Sequence, residues 1–188
     1  MTEPASLYTG GGGAYGSTLH NCTLTGNAAQ RSGGGAAGEF EKVCTLNNCV
    51  VYFSSAPEVN YDSYSILNYC CTTPSPTNGV GNITNSPLFV DEAGGNLRLQ
   101  SNSPCTNSGL NAYAPVGSEL DGNPRIMAGT VDIGAYEFES ATSIISYDWL
   151  QQYGLVTDGS ADYSNSDSDL LNNWQEWIAG TVIRASIA

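Results

Sequence analysis

Residues 11–22 read GGGAYGSTLHNC, and residues 33–49 read GGGAAGEFEKVCTLNNC. Both stretches join a glycine run to a Thr-Leu-x-Asn-Cys motif, and a weaker third copy, ILNYC, occupies residues 66–70. The glycine runs are 22 positions apart and the first two motifs 27, so the second unit carries a five-residue insertion, which we place within residues 39–44. A period in the twenties with one strand signal per unit is typical of a solenoid.

Each copy offers apolar residues at alternating positions, which one unit alone cannot bury. Stacked units place these residues in register, and asparagine at a fixed place suits a tight left-handed corner between strands. The pattern therefore predicts a mostly β chain of right-handed parallel β-helix rungs, with an antiparallel sandwich as the alternative. The inward candidates are Leu19, Cys22 and Leu24 in the first unit and Leu46, Cys49 and Val51 in the second.

The β-domain is predicted to end at residues 119–138, ELDGNPRIMAGTVDIGAYEF. Residues 121–124 are dense in turn formers, and the alternation that follows predicts a last strand that covers the final rung. We expect three parts: β-helix rungs with a capping β segment (1–138), a short polar linker (139–143) and a small helix-loop-helix tail (144–188). The alternating residues are Val131, Ile133, Ala135 and Phe138.

The six cysteines leave two interpretations open. Cys22, Cys49 and Cys70 fall at equivalent motif positions, which predicts a ladder of buried thiols. The alternative is a disulfide that joins Cys70 or Cys71 to Cys105. No CxxC pair is present and His20 is the sole histidine, so the spacing of a zinc site is absent.

The net charge of −13 disfavours nucleic acid and anionic membranes as partners and favours cations. No apolar run is long enough for a membrane span, and no signal peptide is visible. Because the repeats begin almost at once, we expect a fragment of a longer protein whose signal peptide lies elsewhere.

The tail carries two helix signals. Ser146 is a candidate cap for a helix over residues 147–153, with Gly154 just past its end. A second helix is predicted from five residues at helical spacing and is ended by Gly180. Those five residues are Leu170, Leu171, Trp174, Trp177 and Ile178.

The acidic stretch between the helices has the oxygen-ligand spacing of an EF-hand loop. Counting from Asn165 as the first place, the predicted Ca²⁺ ligands are Asn165, Asp167, Asp169, Leu171 through its carbonyl, Asn173 and Glu176. Asparagine at the first place and Leu170 at the sixth, where glycine is usual, predict a weakened affinity. The alternative is an acidic linker whose Asp167 and Asp169 favour the start of a capped helix.

Five ordered motifs resemble the choice-of-anchor Q domain, which is similar to the C-terminal end of right-handed β-helix proteins secreted by bacteria. They are SPLFVD (86–91), NLRL (96–99), SPC (103–105), DGNPR (121–125) and VDIGAYEF (131–138). The tail resembles dockerin-like and thrombospondin-type-3-like calcium tails in DWL (148–150), DGSAD (158–162) and NNWQEW (172–177). The resemblance implies a structural end piece that precedes a surface-anchoring or sorting segment, with no catalytic set.

The residues themselves show no convincing catalytic constellation. Acids before residue 139 are scattered, and the closest pair, Asp132 and Glu137, suits a structural role beside Arg125. We therefore expect a non-catalytic structural module of a secreted or cell-surface bacterial protein, with a calcium-stabilised tail for attachment or sorting. Its expected partners are calcium and a cell-surface polysaccharide or anchoring machinery. The alternative is a carbohydrate-binding or polysaccharide-degrading β-helix protein.

Overall fold

The structure is a computed structural model that describes residues 10–57, 60–127, 129–139, 141–167 and 169–181. Residues 1–9 of the predicted β-domain, Ser168 of the predicted loop and residues 182–188 of the predicted tail lie outside these ranges. The described part is mostly β, as predicted. Its strands are β1 (Ala14–Tyr15), β2 (Thr18–His20), β3 (Thr23–Thr25), β4 (Ala36–Ala37), β5 (Cys44–Asn47), β6 (Val50–Tyr52), β7 (Ser65–Asn68), β8 (Cys71–Thr72), β9 (Phe89–Asp91) and β10 (Asn96–Leu99). Its helices are a 3-10 helix (Asn111–Tyr113), α1 (Tyr147–Gln152) and α2 (Asn173–Ala179).

Strands β1 to β8 form three parallel sheets, which we call the ladder. The strand orders are β1-β4, β2-β5-β7 and β3-β6-β8, so each strand pairs with its counterpart in the next repeat. Leu19 pairs with Leu46, which pairs with Leu67. This register is the one that aligns the three sequence motifs, and it buries Leu46 and Leu67 completely.

The fourth position of each motif forms a left-handed corner. Asn21, Asn48 and Tyr69 have φ angles of 46°, 52° and 51°. The Asn48 amide donates a 3.4 Å hydrogen bond to the side-chain oxygen of Asn21. The predicted asparagine corner is confirmed in the first two copies, where asparagine tolerates this conformation better than most residues do. Tyr69 adopts the same conformation in the third copy.

The motif cysteines stack as predicted. The backbone N–H groups of Cys22 and Cys49 donate to the sulfur atoms of Cys49 and Cys70, each at 3.4 Å. All six cysteines are free thiols, and Cys49 and Cys70 are fully buried. Burial raises the pKa of the Cys49 thiol, which favours its neutral form in the core.

The extra residues of the second unit form a tight excursion from the ladder. Glu39 and Lys42 exchange two backbone hydrogen bonds, of 3.1 and 3.0 Å. Phe40, at the tip, is 85% exposed. The excursion leaves the ladder after β4 and returns at β5, which confirms the predicted place of the insertion.

Residues 119–138 do not form the predicted strand. No strand lies in the described residues of this stretch, and its turn is closed by an isolated antiparallel bridge between Ser118 and Pro124. The backbone N–H groups of Ile133 and Gly134 donate instead to the carbonyls of Cys105 and Asn48. The stretch therefore crosses the asparagine corner of the ladder, and the prediction that its strand covers the last rung is wrong.

No strand forms in the described part of this stretch because side-chain carboxylates, and not a neighbouring strand, accept hydrogen bonds from the backbone N–H groups. Asp132 accepts 2.6 Å hydrogen bonds from the backbone N–H groups of Asn107 and Phe138. Glu137 accepts from the N–H of Asp132 at 3.0 Å and from a nitrogen of Arg125 at 2.6 Å. The predicted structural role of these two acids beside Arg125 is confirmed.

The tail packs against the turn that follows β10. Ser143 and Tyr147 are buried, so the predicted linker runs into the interior at its end. The amide of Asn107 donates to the Ser143 carbonyl at 2.8 Å, and the N–H of Tyr147 donates to the Thr106 carbonyl at 3.2 Å. A separate apolar cluster holds the tail together, formed by Ile145, Leu150 and Ala161 with Ile144, Trp149, Leu155, Trp174 and Trp177 around them.

Both tail helices form, with one boundary corrected. The side chain of Ser146 accepts from the N–H of Trp149, which confirms the predicted cap of α1. Helix α2 begins at Asn173, so Leu170 and Leu171 precede it, and Leu170 is 98% exposed. Asn172 caps α2 and thereby sets its start, and Gly180 ends it in a left-handed conformation, as predicted.

Candidate metal centre

Three of the six predicted ligands come together between the loop and α2. One carboxylate oxygen from each of Asp167, Asp169 and Glu176 lies within 4.8 Å of the other two. These residues occupy the third, fifth and twelfth places of the predicted loop. The spacing in the sequence therefore identified residues that the fold places around one point.

Within this cluster, the surroundings of the Glu176 carboxylate are the strongest indication of a cation site. Glu176 is 1% exposed, and its Oε2 atom has no hydrogen-bond partner among the residues that the structure describes. Burial raises its pKa, and the neighbouring charges of Asp167 and Asp169 raise it further. A buried carboxylate without a partner beside two other acids is costly unless a proton or a cation compensates it.

Asn173, at the ninth place, supplies a second unpartnered oxygen. Its side chain is fully buried, and its amide nitrogen donates a 2.8 Å hydrogen bond to the Ala161 carbonyl. That bond fixes the amide plane, while the Oδ1 atom finds no partner within the described part of the chain. Two residues of the same helix turn thus bring unpartnered buried oxygens to the start of α2.

The loop itself is wound by side-chain to backbone hydrogen bonds. Asp167 accepts from the N–H of Asp169 at 3.2 Å, and Asp169 accepts from the N–H of Leu171 at 2.6 Å. The amide nitrogen of Asn165 donates to the Asp169 carbonyl at 2.7 Å. These contacts support the loop conformation, while the roles of Asn165 and of the Leu171 carbonyl as ligands stay predictions.

The start of α2 is satisfied without the two aspartates. The N–H groups of Asn173 and Trp174 donate to the carbonyls of Ser164 and Asp162, at 2.8 and 2.9 Å. Those of the next two residues donate to the side chain and the carbonyl of Asn172. Other groups therefore form the hydrogen-bonded cap of α2, and the alternative in which the charges of Asp167 and Asp169 favour the start of this helix stays a prediction.

The donor set fits a hard cation. Carboxylate and amide oxygens are what Ca²⁺ and Mg²⁺ bind, and a set made up mostly of protein oxygens is closer to the preference of Ca²⁺. A bound cation would compensate the buried oxygens of Glu176 and Asn173 that have no partner among the described residues. The cluster can thus hold a metal ion.

Asp162 is a structural residue beside the candidate centre that the loop spacing did not single out. It is buried, and its carboxylate accepts hydrogen bonds from the Ser143 hydroxyl at 2.6 Å and from the N–H of Ile144 at 3.0 Å. Its carbonyl accepts from α2, so it joins the helix to the end of the linker. In the sequence Asp162 is one acid among several in the same stretch. No neighbouring residue indicates that its side chain points into the interior.

The other candidate groups have structural surroundings. His20 contacts the Tyr113 carbonyl at 3.1 Å through Nδ1. Arg125 and Glu137 form an ion pair whose side chains are 5% and 0% exposed. Burial raises the pKa of the Asp132 and Glu137 carboxyl groups, but backbone N–H groups already occupy their oxygens.

No family model matches the chain, and comparisons with curated proteins and with solved structures found no significant similarity. Among the described residues, no helix combines the length and the hydropathy that crossing a bilayer requires. The function therefore has to be inferred from the residues and contacts above.

Proposed function

We propose that this chain is a non-catalytic structural module of a secreted or cell-surface bacterial protein, with a Ca²⁺ ion that stabilises its tail. The observation that carries the proposal is the buried, unpartnered carboxylate oxygen of Glu176 beside Asp167 and Asp169. A divalent cation there would neutralise acids that otherwise repel one another.

In this proposal Asp167, Asp169 and Glu176 hold the ion, with Asn173 through its side-chain oxygen. Asn165 and the Leu171 carbonyl complete the set that the loop spacing predicts. When bound, the ion supplies charge neutralisation and a cross-link between the loop and α2. Asparagine at the first place and an exposed leucine at the sixth are expected to weaken this site relative to a full EF-hand loop.

The ladder supports the structural half of the proposal. Three parallel sheets, in-register leucines and left-handed corners at one motif position are what a parallel β-helix requires. We therefore infer that the ladder is a right-handed parallel β-helix. The tail, tied to this body through Asn107 and Thr106, would then serve attachment or sorting at a cell surface.

One observation favours a second candidate function, carbohydrate binding. A cleft of about 510 Å³ between the ladder and the tail is lined by three aromatic residues, Tyr69, Trp149 and Trp177, with Asp148 and Gln152 beside them. Aromatic rings with neighbouring amide and carboxylate groups suit a sugar ligand. Titration with neutral and acidic oligosaccharides, followed by tryptophan fluorescence in the chain and in Trp149→Ala, tests this candidate.

Isothermal titration calorimetry of the full chain tests the metal site. Ca²⁺ is titrated into the metal-stripped chain, into Glu176→Gln and into Glu92→Gln, which removes an exposed carboxylate of the same type. We expect saturable heat in the unmodified chain and in Glu92→Gln, and its loss in Glu176→Gln. Absence of calcium-dependent heat in the unmodified chain would refute the proposal.

A further inference from the structure

The cleft between the ladder and the tail has one charged residue in its lining, Asp148. The cleft measures about 510 Å³, and among the described residues that line it there is no lysine, arginine or histidine. The chain as a whole carries a net charge of −13. An anionic ligand would therefore meet a negative charge in this cleft with no positive side chain to offset it.

The Asp148 carboxylate has no partner among the described residues. It lies in the first turn of α1 and is partly buried, and no hydrogen bond or ion pair involves its side chain there. Burial raises its pKa, and no neighbouring charge contributes to the shift. A carboxylate that loses water and gains no partner is destabilised in its charged form, so a bound cation would compensate it.

Other polar side chains of the cleft are already bonded within the protein. The Asn111 side chain donates to one backbone carbonyl and accepts from one backbone N–H, both at 2.8 Å. The hydroxyls of Ser108 and Ser146 bond each other at 2.7 Å. These contacts leave the Asp148 carboxylate as the charged acceptor that a ligand can use.

The aromatic residues favour an organic cation over a metal ion at this carboxylate. Ca²⁺ takes about six to eight oxygen ligands, which a single carboxylate among aromatic rings does not supply. Tyr69, Trp149 and Trp177 line the same cleft, and each is partly buried. An ammonium group is attracted to the face of an aromatic ring within about 6 Å, so this set of residues suits an amine.

We propose that the cleft binds a saccharide that carries free amino groups, such as an oligomer of glucosamine. This inference rests on the carbohydrate-binding candidate described above and specifies its class of sugar. A protonated amine of the sugar pairs with Asp148, while the apolar face of a sugar ring lies against an aromatic side chain. A neutral sugar makes only the second contact, and the carboxylate repels a uronic acid.

Isothermal titration calorimetry of the full chain, at about 0.15 M salt, compares three tetrasaccharides. They are a glucosamine tetramer, its N-acetylated counterpart and a galacturonate tetramer. We expect the glucosamine tetramer to bind about tenfold more tightly than its acetylated counterpart, and the galacturonate tetramer not to bind. Equal affinity for the first two, or tighter binding of galacturonate, would overturn the inference and leave the carbohydrate candidate standing. Absence of binding by all three would refute both.

Two variants show whether this preference arises in the cleft. Asp148→Asn and Asp158→Asn each remove one negative charge, but Asp158 is exposed and is not part of the lining. The preference for glucosamine should disappear in Asp148→Asn, which still binds the acetylated tetramer, and should persist in Asp158→Asn. Equal loss in both variants would indicate a general attraction to an acidic protein and overturn the inference.

Tetralysine separates recognition of the sugar from recognition of the amine, because its ammonium groups belong to no sugar ring. It should bind the unmodified chain more weakly than the glucosamine tetramer does. Binding of equal or greater strength would assign the cleft to lysine side chains of a polypeptide and overturn the inference.

Discussion

The hydroxyl of Ser143 donates a 2.6 Å hydrogen bond to the carboxylate of Asp162, and both side chains are buried. The Ser143 carbonyl accepts from Asn107, and the Asp162 carbonyl accepts from Trp174. This contact thus connects α2, which carries Glu176, to the turn on which the tail packs. The candidate metal centre and the body of the molecule share one hydrogen-bonded path.

Asp162→Asn is expected to destabilise the tail by about 1–3 kcal/mol, because an amide group would face two donors and leave one of them unpaired. The ladder should keep its stability. Hydrogen exchange compares protection in α1 and α2 with protection in β5 and β6. Asp158→Asn is the control, since Asp158 is exposed and its carboxylate bonds only Ser160 among the contacts described. Equal loss of protection in the ladder would contradict the prediction.

Removal of calcium is expected to loosen the tail while leaving the ladder intact. The three tryptophans of the chain, Trp149, Trp174 and Trp177, all pack around the tail cluster, so their fluorescence reports on this part of the molecule. Without the cation, repulsion among the three carboxylates should weaken the loop at α2. Chelation should therefore change the emission spectrum, and added Ca²⁺ should restore it.

Glu176→Gln provides the matched comparison for this experiment. Its emission should not respond to Ca²⁺, because this variant lacks the buried carboxylate that we propose as a ligand. Glu92→Gln should respond like the unmodified chain. A response of equal size in Glu176→Gln would place the effect of calcium at another site.

The ladder was predictable because one strand pairing repeats along the chain. The Thr-Leu-x-Asn-Cys copies set the register of Leu19, Leu46 and Leu67 directly. The corner at Asn21 and Asn48 also follows from a local preference, the tolerance of asparagine for left-handed φ. In both cases the signal is a short motif that recurs along the chain.

The stretch 119–138 was mispredicted because its backbone partners lie in segments that do not repeat its sequence pattern. Its alternation was real, since Val131 and Ile133 are fully buried. Their backbone, however, meets Gly109 and Cys105, and the carboxylate of Asp132 satisfies N–H groups that a strand would pair. Alternation in the sequence indicates which side chains are buried. It does not indicate which groups accept or donate the hydrogen bonds of the backbone.

The candidate metal centre was likewise predictable only in part. Loop spacing found Asp167, Asp169 and Glu176, because a helix and a short loop fix their relative positions. It did not find that Asn173 is oriented by Ala161 or that Asp162 holds Ser143. Those contacts depend on how the two tail helices pack.

The ion pair between Arg125 and Glu137 is expected to matter far more than the one between Arg98 and Asp121. Both side chains of the first pair are buried, whereas those of the second are 49% and 29% exposed. Glu137→Gln leaves a buried guanidinium without its counter-charge and should cost about 3–5 kcal/mol. Asp121→Asn should change the unfolding free energy far less, because water screens an exposed pair. Urea unfolding of both variants measures the difference, and similar losses would contradict the expectation.

Asp148 should make the stability of the chain fall as pH rises above the ordinary range of an aspartate. Burial raises its pKa above the usual 3.8, so the folded chain holds this proton to a higher pH than the unfolded chain does. Its contribution is then fully present below that value and is lost as pH rises through the folded pKa. Asp148→Asn cannot ionise, so the unfolding free energy of the variant, minus that of the unmodified chain, should increase between pH 4 and pH 7. Urea unfolding of both chains across this range measures the difference, and a constant or falling value would show that the carboxylate at the start of α1 is not destabilised by its burial.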